Sequence, residues 1–188
     1  MARFGIDIDG TVTSPTSLLP HINKAFQTEL VLDDIKEYDL TAAFPVESER
    51  FYRWFKEQES VIYASSPIQE HAKRVLDEWK QYHELYFISA RGENVSDVTL
   101  QWFLEQELHY DHIELIGSHN KVETARTHNV QAFFEDKHDN AVEIGEELDI
   151  PVLLFDTPYN RQPVPKQVIR VHNWREADEW IRHHFPIK

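Results

Sequence analysis

Short apolar runs alternate with amphipathic stretches along most of this chain. Runs at 4–8, 85–88, 113–116, 130–134 and 151–155 span four or five residues each, the length of strands covered on both faces. Between them lie helical stripes. Ile68, Ala72, Val75, Leu76, Trp79 and Tyr82 predict one helix, opened by Ser65-Ser66-Pro67 as a serine cap with proline in the first turn. Val95, Val98, Trp102 and Phe103 predict a second. A short helix is expected over 120–128 from near Lys121, an acidic one over 140–148, and a closing one through Trp174, Ala177, Trp180 and Ile181. A further strand is expected over 167–171, after a surface loop at 157–166 that carries three prolines.

The alternation breaks once. From Ser14 to Ser66 the sequence reads as helices and no strand run interrupts them. Leu18, Leu19, Ile22, Ala25, Phe26 and Leu30 share one period, with Pro20 tolerable in the first turn. The stretch 33–44 is irregular and polar. A second helix over 47–59 places Phe51, Trp54, Phe55 and Gln58 on one side and Tyr52 off it. An insert of about 50 residues is too long for an ordinary loop. The expected fold is therefore α/β, a Rossmann-like parallel sheet flanked by helices. Residues 1–14 and 66–188 would form the core and 15–65 a small helical cap. Right-handed crossovers leave every strand's C-terminal end along one edge, where such folds bind ligands, and the cap would stand above that edge.

The chain has 188 residues and a formal net charge of −14. Such a field disfavours polymeric nucleic acid and anionic membrane, but local cations still allow a small phosphorylated molecule. No run approaches transmembrane length, and with strand-like sequence already at Phe4 no signal peptide is expected. There is no cysteine, which removes thiolate chemistry. A cytoplasmic location is expected. The 11 histidines are scattered, with His183-His184 the one adjacent pair, and read as surface or internally satisfied groups.

The strand ends carry the chemistry. Asp7 and Asp9 leave the first strand together, because residues two apart share a face. Like charges so close repel unless a proton or a hard dication lies between them, and Mg2+ with oxygen ligands suits that need. Gly10 and Thr11 follow at the turn. Strand two delivers Ser89, Ala90 and Arg91; strand four delivers Glu135 and Asp136, with Asp139 a turn later; Lys121 opens the intervening helix. These groups suit phosphoryl transfer. Asp7 can attack phosphorus, Asp9 can move protons, Mg2+ on Asp7 and Asp136 can absorb charge, and Ser89, Lys121, Arg91 and backbone N–H groups can hold phosphate oxygens. In the insert, Tyr38, Phe44 and Tyr52 are candidates to meet a substrate, beside Phe51 and Trp54, which fit the lobe's own core.

Asp7-Ile8-Asp9-Gly10-Thr11, the Ser89 strand end, Lys121 and Glu135-Asp136 resemble, in order, the four motifs of the haloacid dehalogenase superfamily of phosphohydrolases. The resemblance implies Asp7 as nucleophile, Asp9 as acid/base, and Mg2+ on Asp7, the Asp9 carbonyl and Asp136. Ile88-Ser89-Ala90-Arg91 and Asp156-Thr157-Pro158-Tyr159-Asn160-Arg161 are similar to the 5'(3')-deoxyribonucleotidase-like group and its bacterial nucleotidases. The chain departs from that group at Thr11, usually hydrophobic, and at Glu135, usually aspartate. A nucleoside monophosphate is the implied substrate. Open alternatives are a phosphatase of another small metabolite, such as a sugar phosphate, and a non-hydrolytic phospho-acceptor or binding domain.

Overall fold

The computed structural model describes residues 1–118 and 120–186. Six parallel strands form one sheet in the order β3-β2-β1-β4-β5-β6: β1 (Arg3–Ile6), β2 (Glu84–Ser89), β3 (His112–Leu115), β4 (Ala132–Glu135), β5 (Val152–Phe155) and β6 (Val168–Val171). β1 lies between β2 and β4, so the strand order reverses direction beside it, the place where open α/β sheets take ligands.

Helices cover both faces. On one, α3 (Ala72–Trp79), α4 (Ser96–Glu105) and α7 (Trp174–His184) join Phe4, Ile6, Phe87 and Phe134 in a core that includes Trp79, Trp102 and Trp174. On the other, α5 (Val122–Thr127) and α6 (His138–Leu148) pack Val122, Ala125, Ala141 and Ile144 on Ile88, Phe133 and Leu154. Gly5 carries no side chain because a Cβ there would come within 2.4 Å of the Phe133 ring.

Residues 15–65 form α1 (Leu19–Phe26), α2 (Ser48–Ser65) and two single 3-10 turns, with no strand. Ile22, Phe44 and Phe51 are buried against Phe26, Leu30 and Trp54, so this segment has its own apolar centre. The chain leaves and re-enters the sheet domain at one stitched point. Thr13 bridges Ile68, Ser14 N–H donates to the Pro67 carbonyl at 2.8 Å, and Gln69 N–H donates to the Val12 carbonyl at 2.8 Å.

That stitch explains where one expected helix differs. Ile68 is held as a bridge partner, and α3 begins only at Ala72, after His71 with a left-handed φ of 68°. Ser66 does not cap α3. Its hydroxyl donates backwards to the Ile62 carbonyl at 2.9 Å and closes α2, which runs six residues beyond the expected Glu59 end. Tyr82 lies past the end of α3 and is 42% exposed. The loop at 157–166 is also not wholly superficial, since Thr157, Tyr159 and Asn160 are buried.

Candidate active site

The C-terminal edge of the sheet opens into a cavity of about 450 Å³, within the range of small-molecule sites. Asp7, Asp9, Gly10, Ser89, Ala90, Arg91, Lys121, Glu135 and Asp136 all line it, so residues scattered over 130 positions of sequence meet there. Asp7 follows β1 directly, its N–H still bonded to the Phe134 carbonyl at 2.9 Å. Its carboxylate therefore rests on rigid sheet.

Lys121 is 1% exposed, far from the usual solvated lysine. Its Nζ lies 2.5 Å from Asp7 Oδ1 and 2.8 Å from Glu135 Oε2. Burial pulls the ammonium's pKa down, but Asp7 and Glu135 outweigh it and raise it overall, so Lys121 stays charged. Glu135 is fixed in turn by backbone N–H groups of Asp136 (3.3 Å) and Lys137 (3.1 Å) on its Oε1, at the approach to α6. Asp136 Oδ2 accepts from the Tyr159 hydroxyl at 2.5 Å, while its main-chain carbonyl accepts from Asn160 Nδ2 at 2.6 Å.

Asp7, Glu135 and Asp136 are thus three buried carboxylates against one ammonium, with carboxylate oxygens within 4.8 Å of one another. Two negative charges are left over. Burial, followed by the charge of Glu135, pushes Asp7 from 3.8 up to about 7, and the same causes push Asp136 well above the usual carboxylate range. Asp136 Oδ1 is buried with no hydrogen-bond partner among the described residues. An unpaired carboxylate oxygen beside two surplus negative charges fits a hard dication with oxygen ligands.

Asp9 belongs to a separate pair. Arg91 Nη2 meets Asp9 Oδ1 at 2.7 Å and Nε meets Oδ2 at 2.9 Å, a bidentate grip. Arg91 Nη1 donates to Thr99 Oγ1 at 3.1 Å, and the guanidinium carbon sits 3.8 Å from the centre of the Tyr63 ring. The arginine expected on phosphate is committed to Asp9. Ser89 Oγ accepts from Arg91 N–H at 3.3 Å, leaving its own proton to donate.

Gly10 adopts φ +77°, and a Cβ there would come within 2.2 Å of Asp136 Oδ2, so only glycine lets the turn pass this carboxylate. Its N–H donates to Thr13 Oγ1 at 3.2 Å. Thr11 does not line the cavity; it is buried, and its carbonyl accepts from Trp174 Nε1 at 3.1 Å. Asp139, expected near Glu135, is instead exposed at the start of α6 and meets His138 Nδ1 at 2.9 Å. Of the aromatic candidates in the insert, Tyr38 and Tyr52 line the cavity, and Phe44 packs inside the insert against Phe26 and Phe51. Phe51 and Phe55 reach the wall as well.

Tyr159, Asn160, Thr99 and Tyr63 escaped the sequence reading as site residues. The 156–161 segment was visible only through family likeness, because a proline-rich stretch otherwise reads as an outside loop. Thr99 and Tyr63 sit on helices with no local signal of their role.

Comparisons with known proteins identify the chain's family. A family model described as "5' nucleotidase, deoxy (Pyrimidine), cytosolic type C protein" matches residues 2–187. Proteins from Halalkalibacterium halodurans and Bacillus subtilis, each named "Putative nucleotidase", are 50% and 44% identical to this chain. The first alignment covers 95% of this chain and 92% of the relative, the second 98% and 97%. A haloacid dehalogenase-like hydrolase from Streptococcus pneumoniae shares the fold, with a TM-score of 0.67 at 13% identity over 96% of this chain and 98% of that one. The chain belongs to the 5' nucleotidase, deoxy (pyrimidine), cytosolic type C family and is a nucleotidase, a phosphoric monoester hydrolase, on a fold shared with haloacid dehalogenase-like hydrolases.

Proposed function

We propose that the chain hydrolyses (deoxy)nucleoside 5'-monophosphates through a phosphoenzyme on Asp7, at a site that holds Mg2+. The observation that carries this reading is the four-charge cluster. Asp7 is fixed at a strand end by Lys121, and Asp136, which lines the same cavity, carries a buried oxygen with no hydrogen-bond partner among the described residues. Asp7, Asp136 and the carbonyl of Asp9 would hold the ion, which supplies charge neutralisation to the carboxylates and the phosphoryl oxygens.

In the first step an oxygen of Asp7 bonds to phosphorus and the ester oxygen departs with its electron pair. Asp9 serves as the general acid that passes a proton to the departing alcohol. In the second step Asp9 takes a proton from water, whose oxygen attacks phosphorus and releases Asp7 as carboxylate with inorganic phosphate. Lys121, the Ser89 hydroxyl and the backbone around Ala90 hold phosphate oxygens. Arg91 acts through Asp9 as a positioning residue.

Residues 15–65 serve as the cap over a core of 1–14 and 66–188, a division supported by the stitch at Thr13 and Ile68. Leu18, Ile35, Phe51, Tyr52 and Phe55 give the cavity an apolar wall suited to a flat base. The family's cytosolic description supports a cytoplasmic location, and no described helix is long and apolar enough to cross a membrane. A substrate panel of nucleoside monophosphates and sugar phosphates, with and without Mg2+, tests the assignment. Nucleotide preference, dependence on Mg2+ and loss of turnover in Asp7→Asn are expected. Equal rates on sugar phosphates would remove the nucleotide assignment, and full activity in Asp7→Asn would remove the covalent route.

A further inference from the structure

A second group of potential ligands lies away from the cavity, on the edge strand of the sheet. His112 and Glu114 occupy alternate positions of β3 and therefore share one face of it. His128, the residue that ends α5, comes to them from 14 positions beyond Glu114. None of the three lines the cavity of the active site. We infer that His112, Glu114 and His128 form a binding site for a transition-metal dication of the Zn2+ class, separate from the Mg2+ site.

The distances carry the inference. Glu114 Oε2 lies 2.8 Å from His128 Nε2 and 3.3 Å from His112 Nε2, and the ligand atoms all fall within 4.8 Å of one another. Tetrahedral Zn2+ with bonds of about 2.1 Å needs ligand atoms about 3.4 Å apart. The His112–Glu114 separation is already near that value and the His128–Glu114 pair must open by about 0.6 Å, so small rotations seat the ion. Imidazole nitrogens favour Zn2+, Co2+, Ni2+ and Cu2+ over Mg2+, which makes the preference opposite to that of the all-carboxylate cluster.

The rings are also held in place before any ion arrives. The His112 and His128 rings lie 4.6 Å apart, and Tyr86 packs on His128 at 4.9 Å. Tyr86 is itself anchored by its hydroxyl, which donates to Glu84 Oε2 at 2.7 Å. Arg3 Nη1 donates to the His128 carbonyl at 3.2 Å and fixes the backbone there. The side chains of His112 and Glu114 are 44% and 41% exposed, so a fourth position faces water and an ion can enter. A two-histidine, one-carboxylate set with an open position is a recognised zinc arrangement.

Isothermal titration of the full chain with ZnCl2, in millimolar MgCl2 to occupy the carboxylate cluster, tests the site. One Zn2+ per chain is expected, and CoCl2 in its place should give the visible bands of a four-coordinate nitrogen–oxygen site. His128→Gln, His112→Gln and Glu114→Gln should each weaken binding at least about tenfold, the lower end of what even supporting partners of metal ligands contribute. His183→Ala should leave it unchanged. Circular dichroism checks each variant's fold, and the two positions exposed on β3 keep the test open if His128→Gln misfolds. Absence of binding, or affinity unchanged in the folded β3 variants, would overturn the site. So would loss of binding in His183→Ala alone.

Discussion

Arg91 grips both carboxylate oxygens of Asp9, at 2.7 and 2.9 Å, from a position where its own side chain is fully buried and that of Asp9 is 41% exposed. The buried partner holds the more exposed one. Asp9 is thereby denied most of its rotamers and points into the cavity beside Asp7. A proton carrier must lie within hydrogen-bond reach of the oxygen it serves, so this clamp converts packing into catalysis.

Removing the clamp should reduce turnover more than binding. Arg91→Ala is expected to lower kcat about 10²-fold, the lower part of the range for general acid–base catalysis, with KM changed severalfold at most. Arg91→Lys should recover little, since an ammonium cannot make the two parallel bonds of the guanidinium. Steady-state kinetics on the best nucleotide of the panel would decide. A large rise in KM with kcat intact would place Arg91 on the substrate phosphate instead.

The metal-free site should be acid-stabilised. Burial raises Asp7 from 3.8 to about 7 in the folded chain, so the fold takes up a proton that the unfolded chain has lost. That contribution is complete below the unfolded value and disappears as pH rises through the folded one. The shift of about three units corresponds to an upper bound on the order of 4 kcal/mol lost between pH 4 and 7. Mg2+ binds the deprotonated carboxylates and reverses the penalty, so the rise in Tm on adding Mg2+ should be larger at pH 8 than at pH 6. Thermal unfolding at the two pH values, with and without MgCl2, measures it. An equal Mg2+ effect at both would mean that Asp7 does not titrate in this range.

The glycine after Asp9 should tolerate nothing larger. Gly10→Ala places a Cβ at φ +77°, within 2.2 Å of Asp136 Oδ2, and the residue that must yield is a proposed metal ligand. Loss of roughly 1–3 kcal/mol of stability is expected, from left-handed strain and displacement of the carboxylate. Mg2+-dependent activity should fall with it. A variant with wild-type Tm and rate would show that the Asp136 side chain moves freely, against the packing described.

How much of this was legible in the sequence depended on whether the signal was local. The strands followed from apolar runs, and Asp7, Ser89, Lys121 and Asp136 stood at strand or helix ends where position alone suggests chemistry. Helix α3 was misplaced because Ser66-Pro67 imitates a cap, whereas the tertiary bridge from Thr13 to Ile68 fixes that segment as extended. Asp139 was expected near Glu135 because the two are close along the chain, but the opening turn of α6 points it outward. Arg91 illustrates the remaining limit. Its charge was evident, but whether it meets phosphate or a carboxylate depends on where Asp9 lies, 82 residues away.

Tyr159 offers the sharpest test of the loop that the sequence assigned to the surface. Its hydroxyl donates to Asp136 Oδ2 at 2.5 Å and so leaves Oδ1 as the oxygen with no partner among the described residues. The tyrosine thus selects which oxygen faces the proposed ion. Tyr159→Phe keeps the ring that packs edge-on against Tyr38 at 5.9 Å and removes only the donor. Stability should fall by about 1.5–3 kcal/mol, the worth of a hydrogen bond to a charged group. Affinity for Mg2+ should fall about 10–100-fold, as expected when a ligand loses the partner that orients it. Saturating Mg2+ should then restore most of kcat, since Asp7, Asp9 and Lys121 are untouched. Activity titrated against MgCl2 gives both quantities at once. An unchanged half-saturation point would show that Asp136 needs no orienting partner, and persistent loss of kcat at saturation would move Tyr159 into the chemistry itself.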